Sequence, residues 1–235
     1  IKELRLKKMR DAKGLQLRAP NRKTFFAKLQ GDSAELTMIR TPTGAAPKRN
    51  PLANITVTNQ AGTVVATETC STDKPFTYTT KLTGKPGDEF SIVVDDDRRA
   101  HWSAAGLGLK VVGKLVPESS MAQIRTARYY FLVPAGTKAF RMKITGIHVG
   151  PFSCTIQAPD GSTVAELSGR HFGEAQLPHL KGVTNSQWLD VPVGTARTGE
   201  PWTAIFSAVG DFGVEFDGIP PYIAISKDQL FLPAE

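Results

Sequence analysis

Three stretches in the first half of this chain recur, in the same order, in the second half. An ordered recurrence of this kind constrains the fold to two copies of one unit. Phe25-Phe26-Ala27-Lys28-Leu29-Gln30-Gly31 lines up with Phe140-Arg141-Met142-Lys143-Ile144-Thr145-Gly146, and Pro20 and Pro134 stand ahead of them at nearly the same distance. Residues 56–66 then match residues 155–165, where Ala61-Gly62 and Asp160-Gly161 supply turn residues. Gly87-Asp88-Glu89-Phe90 finally resembles Gly199-Glu200-Pro201-Trp202.

Each match has a β reading. Gly after Asp or Ala tolerates the positive φ of a tight hairpin. Runs rich in Val, Ile, Thr and Phe flank these turns, as strands require. Neither half carries a long 3.6-residue periodicity. Short strands at regular spacing with turns between them point to sandwiches or barrels. The expected fold is all-β: two tandem antiparallel β-sandwich domains of jelly-roll-like type. The first spans residues 15–114 and the second 127–225. Residues 115–126 form a linker and 226–235 a C-terminal extension. Residues 1–14 are a basic segment of helix formers closed by Gly14, read as a short helix or a charged extended strand.

Charge narrows the function. Residues 1–28 carry ten Lys/Arg against two Asp/Glu, whereas the rest of the chain carries 19 against 20. The body is electroneutral, so the basic folded face that a nucleic-acid binder needs is missing. No apolar run approaches the ~20 residues that span a bilayer, so no membrane insertion is expected. Cys70 and Cys154 are two cysteines and no disulfide framework; a pair of buried thiols is the simpler reading and a single bond the other. With no starting Met and no targeting motif, the chain reads as a piece of a longer or processed polypeptide.

Catalysis has no signature here: no nucleophile elbow, no zinc-protease helix, no phosphate loop and no dinucleotide fingerprint. His171 and His179 lie in one segment with Glu174 between them. An acid–base pair or a metal site is one reading of that segment. Surface histidines on a loop are the other, and the spacing matches no metal pattern. Asp95, Asp96 and Asp97 form an acidic triplet followed by Arg98 and Arg99. They are the candidate calcium ligands, since calcium takes carboxylate oxygens on such loops; a solvated turn paired with the arginines is the alternative. No other cofactor is expected. For a sugar ligand, flat aromatic faces next to polar groups are the signal. Trp102, Trp188, Tyr129 and Tyr130 are the candidates, with Tyr222 behind them. Trp202 sits inside a repeated strand and reads as core.

The second half resembles the bacterial pre-peptidase C-terminal domain, or a close relative among bacterial accessory β-sandwiches. The likeness is carried by Tyr130-Phe131-Leu132-Val133-Pro134-Ala135-Gly136-Thr137, by Ala158-Pro159-Asp160-Gly161 and by Gly199-Glu200-Pro201-Trp202-Thr203, over residues 127–218. The first half reads as a more diverged copy, with Phe90 where Trp202 stands. Two departures stand out. Gly199 and Trp202 are one residue further apart than the family pattern. The strand that carries calcium-binding carboxylates in some members is here Phe152-Ser153-Cys154-Thr155, without one. The resemblance implies a non-catalytic accessory module of a larger exported bacterial protein, secreted or at the cell surface. Its expected partners are a polysaccharide and neighbouring domains of a longer polypeptide. A structural spacer or adhesin-like repeat is the competing class.

Overall fold

The computed structural model describes residues 14–19, 22–42, 52–96, 100–117, 119–121, 126–146, 150–171, 185–194, 198–208 and 212–234. The basic segment 1–13 therefore lies outside the described residues. The chain divides into two compact units, Ile1–Lys114 with Pro233–Glu235, and Leu115–Leu232. Among the described residues the regular structure is β-strand, apart from one 3-10 turn at Lys227–Gln229, and no helix is long and apolar enough to cross a membrane.

Unit 1 comprises β1 (Leu15–Leu17), β2 (Arg22–Leu29), β3 (Ser33–Pro42), β4 (Leu52–Asn59), β5 (Val64–Ser71), β6 (Phe76–Thr83), β7 (Glu89–Asp95), β8 (Ala100–Ala105) and β9 (Leu109–Lys114). They form two antiparallel sheets with orders β1-β8-β3-β6 and β9-β2-β7-β4-β5. Side chains alternate along a strand, so every second residue enters the core. In β2 those residues are Lys23, Phe25, Ala27 and Leu29; in β3 they are Ala34, Leu36, Met38 and Arg40. The period carries two long cations, Lys23 and Arg40, to the inside. The sheets approach closely where β9 faces β1. A Cβ on Gly113 would stand 2.6 Å from side-chain carbons of both Leu15 and Leu17.

Unit 2 comprises β10 (Ser120–Met121), β11 (Thr126–Leu132), β12 (Ala139–Gly146), β13 (Gly150–Gln157), β14 (Thr163–His171), β15 (Asn185–Pro192), β16 (Pro201–Ala208), β17 (Phe212–Asp217) and β18 (Tyr222–Ile223). Its sheets run β10-β17-β12-β15 and β11-β16-β13-β14. Ala224, just after β18, exchanges two 2.9 Å backbone hydrogen bonds with Tyr130 of β11. The strand order of unit 2 is that of unit 1 with nine added to each label, the place of β9 being taken by the Ala224 bridge just after β18. Its core is aromatic and joins the two sheets. The Phe131 ring on β11 lies 5.6 Å from Phe140 on β12 and 5.0 Å from Phe216 on β17. Phe140 meets Trp202 on β16 edge-on at 5.8 Å, a favoured ring geometry.

Two of the three sequence matches fall on equivalent elements. In the β4–β5 hairpin, Asn59 N–H donates to Thr63 O and Gly62 N–H to Asn59 O, both at 2.9 Å. In β13–β14, Ala158 N–H donates to Ser162 O and Gly161 N–H to Ala158 O at the same distance. Gly62 and Gly161 adopt φ of 76° and 83°, which a side chain would strain. A register shift follows Val57 in one hairpin and Ile156 in the other. The glycines ahead of β7 and β16 also correspond: Gly87 N–H donates to Leu29 O at 2.8 Å, and Gly199 N–H to Val133 O at 2.9 Å. Phe90 thus pairs with Ala27 as Trp202 pairs with Phe131.

The first match is corrected. Residues 25–31 belong to β2 and its following turn, but residues 140–146 lie in β12, which takes the place of β3. The place of β2 is filled by β11. A half-buried strand ending near Gly has the same short pattern wherever it sits, and only its neighbours identify it.

Trp202 is fully buried against Phe131 of its own sheet and Phe140 of the other. Replacing it by Ala is expected to cost unit 2 about 3–5 kcal/mol, the range for emptying an aromatic site. Urea unfolding followed by circular dichroism checks this; a loss below about 1 kcal/mol would contradict the packing described.

Candidate functional site

Trp188 is the tryptophan that reaches solvent. It lies on β15, the edge strand of its sheet, with 39% of its surface exposed. Alternation explains the placement: Leu189 and Val191 turn inward, so Trp188 and Asp190 turn outward. The neighbouring strand β12 alternates in the same way, with Phe140, Met142 and Ile144 inside and Arg141 and Lys143 outside. Register brings Lys143 opposite Trp188 and Arg141 opposite Asp190. The Arg141 guanidinium lies over the Trp188 ring at 4.4 Å from its centroid, and Lys143 Nζ lies at 5.7 Å. Arg141 Nε donates to Asp190 Oδ1 at 3.1 Å. On the far side, β17 contributes Glu215, whose Oε2 is 3.6 Å from Lys143 Nζ. The Thr145 and Ser186 hydroxyls share a 2.8 Å hydrogen bond at the next cross-strand position.

The result is an outer sheet face with one aromatic ring, hydroxyls, cations and carboxylates side by side. Exposed ion pairs of this kind add only ~0–1 kcal/mol to stability, and an exposed cation–π contact about as much. The group is therefore weakly explained as a folding device. Chemically it offers a stacking surface with donors and acceptors at its rim. Unit 1 lacks it. The cross-strand row Glu215–Lys143–Trp188 has Ala105–Thr37–Thr79 as its counterpart.

The structure corrects the other aromatic candidates. Trp102 on β8 is fully buried, so its ring has no face to offer a sugar. Its indole N–H donates instead to Asp96 Oδ2 at 2.7 Å. Tyr129 is buried, with its ring 6.1 Å from that of Phe206, and Tyr222 is buried as well. Tyr130 is partly buried on the sheet that does not contain Trp188, and the two are not brought together.

The acidic triplet is also corrected as a metal site. Asp95 is exposed and Asp96 is buried, while Asp97 lies outside the described residues. Asp96 is committed elsewhere: its carboxylate accepts from Arg40 Nε at 2.9 Å as well as from Trp102, and its backbone carbonyl accepts from Lys23 Nζ. Arg40 also donates to Lys74 O at 3.3 Å. Arg40 and the Trp102 indole share Oδ2, so a calcium ion there would have to compete with both for that oxygen. Among the described residues no group of three His, Cys, Asp or Glu stands close enough to hold a metal. Glu174 and His179 lie outside the described residues, as does the side chain of His171.

Both cysteines are free thiols. Burial pushes the Cys154 thiol far above the ordinary value. Burial also raises Cys70; Arg40 draws it back, while Asp96 and Glu68 add to the rise. Neither thiol is poised as a nucleophile.

The sequence reading missed Arg141, Lys143, Asp190 and Glu215 at the surface, and Lys23 and Arg40 inside. The signal was present for the first group, since Phe140-Arg141-Met142-Lys143-Ile144 alternates cleanly. Their meeting depends on pairing with strands more than forty residues away.

No family model matches the chain, and no curated protein matches it. Among solved structures it is similar to the CBM22-1-CBM22-2 tandem domain from Paenibacillus barcinonensis Xyn10C, at 8% identity over 84% of this chain and 79% of that one, with a TM-score of 0.23. It is also similar to the extracellular domain of ANXUR2 from Arabidopsis thaliana, at 8% identity over 91% and 83%, with a TM-score of 0.27. A third is a beta-glucuronidase from glycoside hydrolase family 2, at 10% identity over 76% and 20%, with a TM-score of 0.19. Likenesses this distant carry no argument about family or ligand.

The buried ionic group makes its own prediction. Asp96→Ala removes the carboxylate that Arg40 and the Trp102 indole share, and it is expected to cost about 3–5 kcal/mol. The triple variant Lys23→Met, Arg40→Met, Asp96→Ala removes the charges together and is expected to be more stable than the single variant. Chemical denaturation of both checks the order; a triple variant less stable than Asp96→Ala would contradict the reading of a coupled ionic group.

Proposed function

We propose that this chain is a non-catalytic glycan-binding module whose contact surface is the outer sheet face around Trp188. The observation that carries the reading is one exposed tryptophan on an outer sheet face, in the company of Arg141, Lys143, Asp190 and Glu215. An aromatic ring stacks on the apolar C–H face of a pyranose, and polar groups beside it fix orientation through hydroxyls. A structural spacer has no need to leave a tryptophan in water on a charged face. The function therefore reads as binding in preference to spacing.

The resemblance of residues 127–218 to bacterial accessory β-sandwiches supports a place within a larger exported protein, secreted or at the cell surface. There the module would hold a neighbouring polysaccharide-active domain near its substrate, or dock against that domain. The chemistry would belong to the neighbour.

A panel of soluble polysaccharides, screened by affinity electrophoresis and intrinsic fluorescence, tests the proposal. At least one glycan is expected to retard the chain and shift its tryptophan emission. Trp188→Ala is expected to weaken that binding about tenfold or more, the scale of losing 1.4 kcal/mol or more at a central aromatic contact. The unfolding midpoint should stay near that of the parent. Retardation that survives Trp188→Ala would place the contact elsewhere.

A further inference from the structure

We infer that the polysaccharide held at the Trp188 face is uncharged, and that each chain holds it at one site; this rests on the glycan-binding reading above. The face is laid out in cross-strand rows. In one row Lys143 stands between Trp188 and Glu215, and in the next Arg141 stands between Asp190 and Asp217. Each cation is already engaged. Arg141 pairs with Asp190 at 3.1 Å, and Lys143 faces Glu215 at 3.6 Å. Two cations therefore meet three carboxylates.

A uronate or sulfate chain would have to displace two of those carboxylates and pass the third. Like charges placed together in this way reject a partner. A neutral chain meets no such barrier. Its hydroxyls donate to the carboxylates and accept from the guanidinium and ammonium, so the ion pairs serve as hydrogen-bonding groups without needing to break.

The single-site part follows from the repeated strand order. The row Ala105–Thr37–Thr79 in unit 1 carries neither an aromatic ring nor a charge. The facing position to Glu35 is Lys81, and no tryptophan of unit 1 is exposed among the described residues.

The test uses the full chain in affinity gels cast with neutral glycans (a soluble β-glucan, a xylan, a mannan) or with polyanions (pectate, alginate, a sulfated glycan). At least one neutral glycan is expected to retard the chain, within about twofold from low salt to about 0.5 M NaCl, because no ionic contact with the ligand is being screened. Trp188→Ala abolishes that retention, and Thr79→Ala at the equivalent place in unit 1 preserves it. Retention by a polyanion alone, falling with salt and lost in Trp188→Ala, would overturn the uncharged class while leaving glycan binding in place. Loss of retention in Thr79→Ala would overturn the single site. No retention by any glycan would overturn the glycan reading itself.

Discussion

Everything in this molecule depends on the two-residue alternation of its strands between an inner and an outer face. The rule is blind to chemistry. It sends Phe25 and Leu36 inward, where burial stabilises, and it also sends Lys23 and Arg40 inward. It buries Trp102 and Trp202 and leaves Trp188 in water. Sheet geometry decides which tryptophan can meet a ligand, and polarity of the local sequence does not. Trp102 sits in a polar stretch, yet the indole N–H that such a neighbourhood suggests for the surface is satisfied by a buried carboxylate.

The two units solve one interior problem in two ways. Where Arg40 pairs across strands with Trp102 in unit 1, Gly146 pairs with Phe212 in unit 2. Where Lys23 faces Val94, Ala127 faces Phe206. Unit 1 thus builds one end of its interior from an ion pair and an indole around Asp96, and at the place of Lys23 unit 2 has the buried Ala127 beside Phe206. A buried ion pair is seldom more stable than an apolar replacement of equal volume. The same strand order accommodates both, so this end of the unit is tolerant in composition. The outer face differs as sharply, with Thr79 in unit 1 where unit 2 has Trp188. The units keep their backbone plan and differ at the positions where chemistry can be carried.

Much of this was legible in the sequence. Turn glycines and alternating apolar residues gave the antiparallel strands, and the hairpins around Gly62 and Gly161 were identifiable because a positive φ has a residue signature. Trp202 was readable as core from its place inside a strand. The first repeat match misled because residues 25–31 and 140–146 share a pattern that many edge-to-core strands share. The site was half legible. Trp188 stood out as an aromatic residue among polar ones, but so did Trp102, and local polarity could not separate them. Arg141 and Lys143 became part of a site only through the register of β12 with β15 and β17, which pairs residues across long intervals of chain. Asp96 looked like a metal ligand because its partners, Arg40 and Trp102, come from other strands.

One tryptophan of three reaches solvent, and the other two hold the interiors. Oxidation of the native chain with N-bromosuccinimide, mapped by mass spectrometry with and without a bound glycan, tests it most directly. Modification is expected at Trp188 first, with protection of Trp188 when the glycan is present and no reaction at Trp102 or Trp202 until the chain unfolds. Early oxidation of Trp102, or a Trp188 whose reactivity ignores the glycan that the chain binds, would contradict it.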